Sequence, residues 1–168
     1  MLKPAEKKYK ETIEYLVNNY YPELKGKKIY LFKYKFKTFW ACALWIIPFR
    51  VILINPKVDN LDNIPLRGLL GHELSHLSIY EQKGWLKYLY IYPPVYLFFR
   101  KKIIKEENAV DRLTIEKGLG NSLFELRKAV KQDEKHARVN YLYLTEEEII
   151  EHSNKVDDEN KNNDKINY

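Results

Sequence analysis

One stretch, Gly71-His72-Glu73-Leu74-Ser75-His76, constrains this chain more than any other. It holds two of the four histidines, four residues apart, with a glutamate directly after the first, which is the HExxH pattern. On a helix, residues four apart lie one turn up on the same face. Both imidazoles can then meet one metal ion while Glu73 points beside it at a metal-bound water. The stretch predicts an α-helix carrying two zinc ligands, His72 and His76, and a general base, Glu73. The competing reading is a half-buried helix with two unrelated histidines, and the surroundings decide between them.

Those surroundings read as an α+β domain. Residues 4–20 place Ile13, Leu16, Val17 and Tyr20 on one face of an amphipathic helix, which Pro22 and Gly26 end. Residues 28–36 alternate as a strand with one wet face, residues 39–47 form a more buried strand, and residues 50–54 a third, closed by Asn55-Pro56. After a polar connection, apolar residues recur at helical spacing from Leu66 to about Tyr80, through the motif. A further helix is predicted over residues 100–118, stopped by Gly118-Leu119-Gly120, and another from Asn121-Ser122 to about His136. Thr145 followed by Glu148 is a capping box opening a short acidic helix. The domain is expected to span residues 1–152; residues 153–168, rich in Asn, Lys, Asp and Glu, are expected to form an unstructured tail.

Composition removes several alternatives. At 168 residues the chain is long enough for a core without covalent staples. A single cysteine, Cys42, rules out an internal disulfide and a thiolate zinc cluster, and between Ala41 and Ala43 it reads as a small core residue. The first residues show no secretory signal pattern, which predicts a cytoplasmic chain. The net charge of +6 is attractive to polyanions, yet basic residues are interspersed with acidic ones and no nucleic-acid-binding signature accompanies them. Nucleic acid is therefore not an expected partner. Trp85 to Phe99 is the most aromatic stretch; it is shorter than the roughly 20 residues of a membrane span, contains Lys87 and is broken by Pro93-Pro94. With Arg100, Lys101 and Lys102 after it, Trp85 to Lys102 can either pack over the core or rest on anionic headgroups as a peripheral membrane contact.

A catalytic zinc normally takes three protein ligands. Position 82 is Gln and position 79 is Ile, so the third histidine and the glycine of the metzincin pattern are missing. Glu107 stands 31 residues after His76 on the later helix, and Glu107 and Asp111 share a face. One of them can bind metal while the other accepts a hydrogen bond from a ligand histidine and fixes its tautomer. Glu106 and His136 remain open as alternative third ligands.

HExxH on one helix and ExxxD on a later one resembles the gluzincin metallopeptidases. The run Glu107-Asn-Ala-Val-Asp111-Arg-Leu-Thr-Ile-Glu-Lys-Gly-Leu-Gly is similar to the glutamate helix of the type-1 CAAX prenyl protease and HtpX group. It departs in carrying Ala109-Val110 where that group usually has Glu-Ala before the aspartate. Residues 28–125 share in the resemblance. Those relatives are integral membrane enzymes; lacking their spans, this chain looks more like the soluble minigluzincins, some of which are latent. The resemblance implies a zincin-like fold, with a small, mostly antiparallel sheet, an active-site helix and a glutamate-bearing helix. It implies one Zn2+ per chain held by His72, His76 and Glu107, with Glu73 as general base and acid and Asp111 orienting a ligand histidine. The implied activity is hydrolysis of peptide bonds in a peptide or protein substrate. A donor to the developing oxyanion is also needed, and His136, Arg138, Tyr141 and Tyr143 are the candidates. Phe39 to Trp45 is the strand on which substrate backbone would pair. Two other functions compete. One is a latent or regulatory zincin, its cleft filled by Glu146 to Glu151 or by the tail; the other is a non-enzymatic membrane-surface or partner-binding domain using residues 85–99.

Overall fold

The computed structural model describes residues 3–46, 48–83, 100–133 and 140–166. Its strands are β1 (Lys3–Pro4), β2 (Ile29–Lys33), β3 (Ala41–Ile46) and β4 (Phe49–Ile54), in the order β1-β2-β4-β3. β3 and β4 pair antiparallel, with Ala43 opposite Ile52, while β2 and β4 pair in parallel, with Leu31 opposite Ile52. The chain thus leaves β2 for the sheet edge at β3 and returns to fill the gap with β4, so the sheet is mixed. Alternation sets its inner face: Leu31, Ala41, Ala43, Ile52 and Ile54 are all buried. Pro4, expected to begin the first helix, instead joins Lys3 in a short antiparallel edge to β2. An edge tolerates proline because its missing N–H is not needed for the ladder.

The α-helices among the described residues are α1 (Lys7–Asn19), α2 (Asn63–Lys83), α3 (Arg100–Thr114), α4 (Gly120–Lys131) and α5 (Glu146–Ile166), and of these α2 packs on the sheet, against β3. α2 carries the motif and is the centre of the packing. Leu66, Leu70, Leu74 and Leu77 are buried, and so are His72, Glu73, Ser75 and Ser78, so it is enclosed nearly all round rather than along one stripe. It lies against β3, α1, α3 and α4. The approach to α4 is close because residue 68 is glycine: a Cβ there would sit 2.1 Å from the carbonyl oxygen of Ser122. Gly118, at φ +84°, makes the wide turn of Ile115–Leu119 that sends the chain from α3 back as α4. α4 starts at Gly120 without a side-chain cap from Asn121 or Ser122.

The capping box at Thr145 is formed. The Thr145 N–H donates to Glu148 Oε2 at 2.8 Å and the Glu148 N–H to Thr145 Oγ1 at 3.2 Å. Beyond it lies a correction, because the tail from Ser153 is not an unstructured segment but the continuation of α5 to Ile166. Polar composition did not prevent the helix, since the cap starts it, Glu151 and Lys155 pair one turn apart, and Val156 packs on the core. No helix among the described residues is long and apolar enough to cross a membrane. The aromatic segment of residues 85–99 lies outside the described residues.

Candidate metal centre

On α2, His72 and His76 stand one turn apart, and α3 lies across that face. The two helices meet where Glu107 faces both imidazoles. Its Oε2 is 3.2 Å from His72 Nε2 and 3.4 Å from His76 Nε2. The three groups offer ligand atoms that all lie within 4.8 Å of one another, and they are the group among the described residues that could hold a metal ion. Glu106, the neighbouring alternative, is not in it.

The next layer decides what charge this cluster asks for. Asp111 is fully buried, and its Oδ1 lies 2.8 Å from His72 Nδ1. Arg127 Nη2 donates to both of its oxygens, at 2.8 and 2.7 Å, and the Leu144 N–H donates to Oδ2 at 2.9 Å. Burial would raise the Asp111 pKa, but Arg127, His72 and the Leu144 N–H outweigh it and hold the carboxyl below its ordinary value. Asp111 is thus an ionised acceptor, so Nδ1 of His72 must be its donor. In a neutral imidazole the lone pair then sits on Nε2, the atom that faces Glu107. Burial likewise opposes ionisation of Glu107, but the two histidines overcome it and lower its pKa. Glu107 Oε2 is buried and makes no hydrogen bond of good geometry among the described residues; the atoms nearest it are the two imidazole nitrogens.

The site therefore gathers an imidazole lone pair, a second imidazole and a carboxylate around one point with too few donors between them. Such a set is completed by a cation. Without a metal, a proton on His72 can meet that demand: burial works against the charged form, yet Asp111 and Glu107 push its pKa up to about 10. A metal ion at the same place would meet these lone pairs with His72 already in the required tautomer, and the residues fit one on that ground.

Glu73 lies beside the cluster, 4% exposed, and its pKa is raised by burial in spite of the nearby histidines. One tie is to the backbone of Ala43 on β3, while its buried Oε2 has no partner among the described residues. A cavity of about 20 Å3, the size of a single water site, borders His72, Glu73, Arg127 and Tyr143.

Of the four expected oxyanion donors, Tyr143 reaches the centre. Its ring lies 5.6 Å from that of His72, and the Arg127 guanidinium stacks on it at 4.4 Å. Burial first, then the surrounding carboxylates, raise its hydroxyl pKa well above the usual value, which keeps it protonated and a donor. Tyr141 is not brought to the site; it is 46% exposed, with Arg100 over its ring. His136 and Arg138 lie outside the described residues. The acidic stretch does not enter the cleft either. Glu146 pairs with Lys131 at 2.6 Å, Glu148 closes the capping box and Glu151 pairs with Lys155. Arg127 and the Leu144 N–H, which hold Asp111, carry no motif and were not foreseen; both are read only from the way α4 and the chain after it close over α3.

Comparisons with protein-family models, with curated proteins and with solved structures found no match. What the chain does must be argued from the centre itself.

Proposed function

We propose that this chain is a zinc-dependent metallopeptidase of the gluzincin kind, similar to the minigluzincins, with His72, His76 and Glu107 as the zinc ligands. The observation that carries the reading is the convergence of these three lone-pair donors beside a buried, partly unpartnered Glu73. Two histidines and a carboxylate with a second carboxylate alongside are the equipment of a hydrolytic zinc site. The separations support zinc as well: 3.2 and 3.4 Å between ligand atoms match the edge of about 3.3 Å expected of a tetrahedron with zinc–ligand bonds near 2.0–2.1 Å.

Zinc bound there would supply Lewis acidity, lowering the pKa of its water towards about 7 and polarising a substrate carbonyl. The protein supplies the rest. Glu73, with its pKa raised, takes a proton from the attacking water and can return it to the leaving amine. Asp111 keeps the Nδ1 proton of His72 in place, and Arg127 keeps Asp111 ionised. Tyr143, whose ring lies 5.6 Å from that of His72, would be the donor to the developing oxyanion. β3 is the last strand of the sheet order and touches Glu73 through Ala43, so its free edge is where a peptide backbone would pair.

The test is cleavage of a quenched peptide library by zinc-loaded protein. Cleavage should stop with a chelator, return with zinc, and be lost in Glu73→Gln while zinc is retained. Cleavage unchanged in Glu73→Gln would remove Glu73 as the base; a zinc-loaded protein that hydrolyses nothing would leave a metal site without this activity.

A further inference from the structure

Counted by segment, the charge of the chain is far from even. From Lys25 to Ile54, the part that makes β2, β3 and β4, there are seven basic residues and no Asp or Glu. The chain's net charge is +6, so everything outside this segment comes to −1. Two of the seven are neutralised on the inner side: Lys33 by Glu6 and Asp59, Arg50 by Glu81. Lys27 lies 3.5 Å from Glu81. Lys25, Lys28, Lys35 and Lys37 are exposed and have no carboxylate within ion-pair distance among the described residues.

The same strands have a second face. Since Leu31, Ile52 and Ile54 point into the core, alternation directs Tyr30, Phe32, Leu44, Phe49, Val51 and Leu53 to the opposite side. Among the described residues none of these six belongs to the buried core or to the residues packed against it; five are half-buried and Phe49 is 47% exposed. Tyr30 and Phe49 touch edge to face at 5.6 Å, and Lys28 stands over the Tyr30 ring at 5.0 Å. Aliphatic and aromatic side chains thus form the middle of this face, with exposed lysines at both ends of β2.

We propose that the outer face of the sheet docks on an anionic phospholipid bilayer. An apolar, aromatic surface gains by entering the headgroup boundary, and lysines beside it gain from the negative leaflet. Charge complementarity selects this occupant over two others. A second copy of the chain would bring like-charged lysines together. A single-stranded nucleic acid would want ring faces interleaved with hydrogen-bonding groups, whereas Leu44, Val51 and Leu53 offer none. The surface is separate from the metal centre, so this inference holds or falls without the peptidase reading.

The experiment is co-sedimentation of the full chain with vesicles of phosphatidylcholine alone or with about 30% phosphatidylserine, an anionic surface of the kind that attracts lysine. Binding should need the anionic lipid and weaken in high salt. Lys35→Gln and Lys37→Gln should each lower partitioning roughly fivefold, and Phe49→Ser should lower it further, with circular dichroism unchanged in all three. Lys101→Gln with Lys102→Gln, at the start of α3, should leave it nearly unaltered. Wild-type protein that stays in the supernatant overturns the proposal. So does binding that survives the sheet variants but is lost in the α3 variant, competition by single-stranded polyuridine as strong as by vesicles, or a dimer that Phe49→Ser dissociates.

Discussion

The two sides of α2 solve the same problem in opposite ways. Away from the candidate metal centre, Tyr21 Oη donates to the Gly71 carbonyl at 2.8 Å, and the Ser75 hydroxyl lies 2.9 Å from both Tyr21 Oη and Thr114 Oγ1, with one proton to give to either. Thr114 in turn donates to the Val110 carbonyl at 2.8 Å. These groups are as buried as any in the protein, and they are paired. On the other side of the helix, His72 and Glu73 are also buried and His76 half-buried, with Glu107 of α3 against them, yet among the described residues Glu73 Oε2 and Glu107 Oε2 make no hydrogen bond of good geometry. Buried polar groups that are satisfied fix how α2 meets α3, whereas the lone pairs gathered at His72, His76 and Glu107 could hold a cation. The contrast separates residues that hold the helix from residues that use it.

The largest effect that would sharpen this contrast is at Glu73. Glu73→Gln removes the proposed base without removing a proposed ligand, so peptide cleavage is expected to fall about 10²–10⁴-fold with zinc content unchanged. Asp111→Asn comes next. It keeps the shape but breaks the charge that Arg127 and His72 share, and zinc affinity measured by chelator competition should fall about 10–100-fold.

On the paired side, Tyr21→Phe should act through stability alone. Denaturant unfolding is expected to show a loss of about 1–3 kcal/mol, while zinc affinity stays within about threefold of wild type, a change below 1 kcal/mol. A Tyr21→Phe protein with weakened zinc and unchanged stability would break the contrast.

A separate check is the pH dependence of the metal-free protein. The folded pKa of His72, about 10, lies above its unfolded value near 6.5. Its stabilising contribution is complete below about pH 6.5 and is lost as the pH rises towards 10. Asp111 is shifted the other way, so its contribution is present above about pH 4 and is lost as the pH falls below that. Chelated protein should be less stable at pH 9 than at pH 6, and zinc should reverse that order by displacing the proton.

Much of this was legible in the residues. The period of Leu66, Leu70, Leu74 and Leu77 places α2, the alternation over residues 28–54 gives three strands, and the four-residue spacing of Glu107 and Asp111 anticipates which two carboxylates face α2. What was not legible depends on contacts between segments far apart in sequence. The parallel pairing of β2 with β4 follows from the order in which strands meet, which alternation does not encode. Gly68 looks like an ordinary small residue until the Ser122 carbonyl is seen against it. Arg127 and Tyr143 have no spacing that ties them to the motif, and they reach it only once α4 folds back over α3. The helix over the α5 tail is not signalled by apolar content, which is low there, but by its capping box and its Glu151–Lys155 pair.

The central claim is that His72, His76 and Glu107 hold one zinc ion. It is tested most directly by zinc stoichiometry and affinity in the wild type beside Glu107→Ala. One zinc per chain in the wild type, with affinity reduced more than about a hundredfold in Glu107→Ala, beyond what loss of an outer hydrogen-bond partner produces, is the predicted result. Zinc bound by Glu107→Ala at wild-type affinity, or no zinc in the wild type, would contradict it.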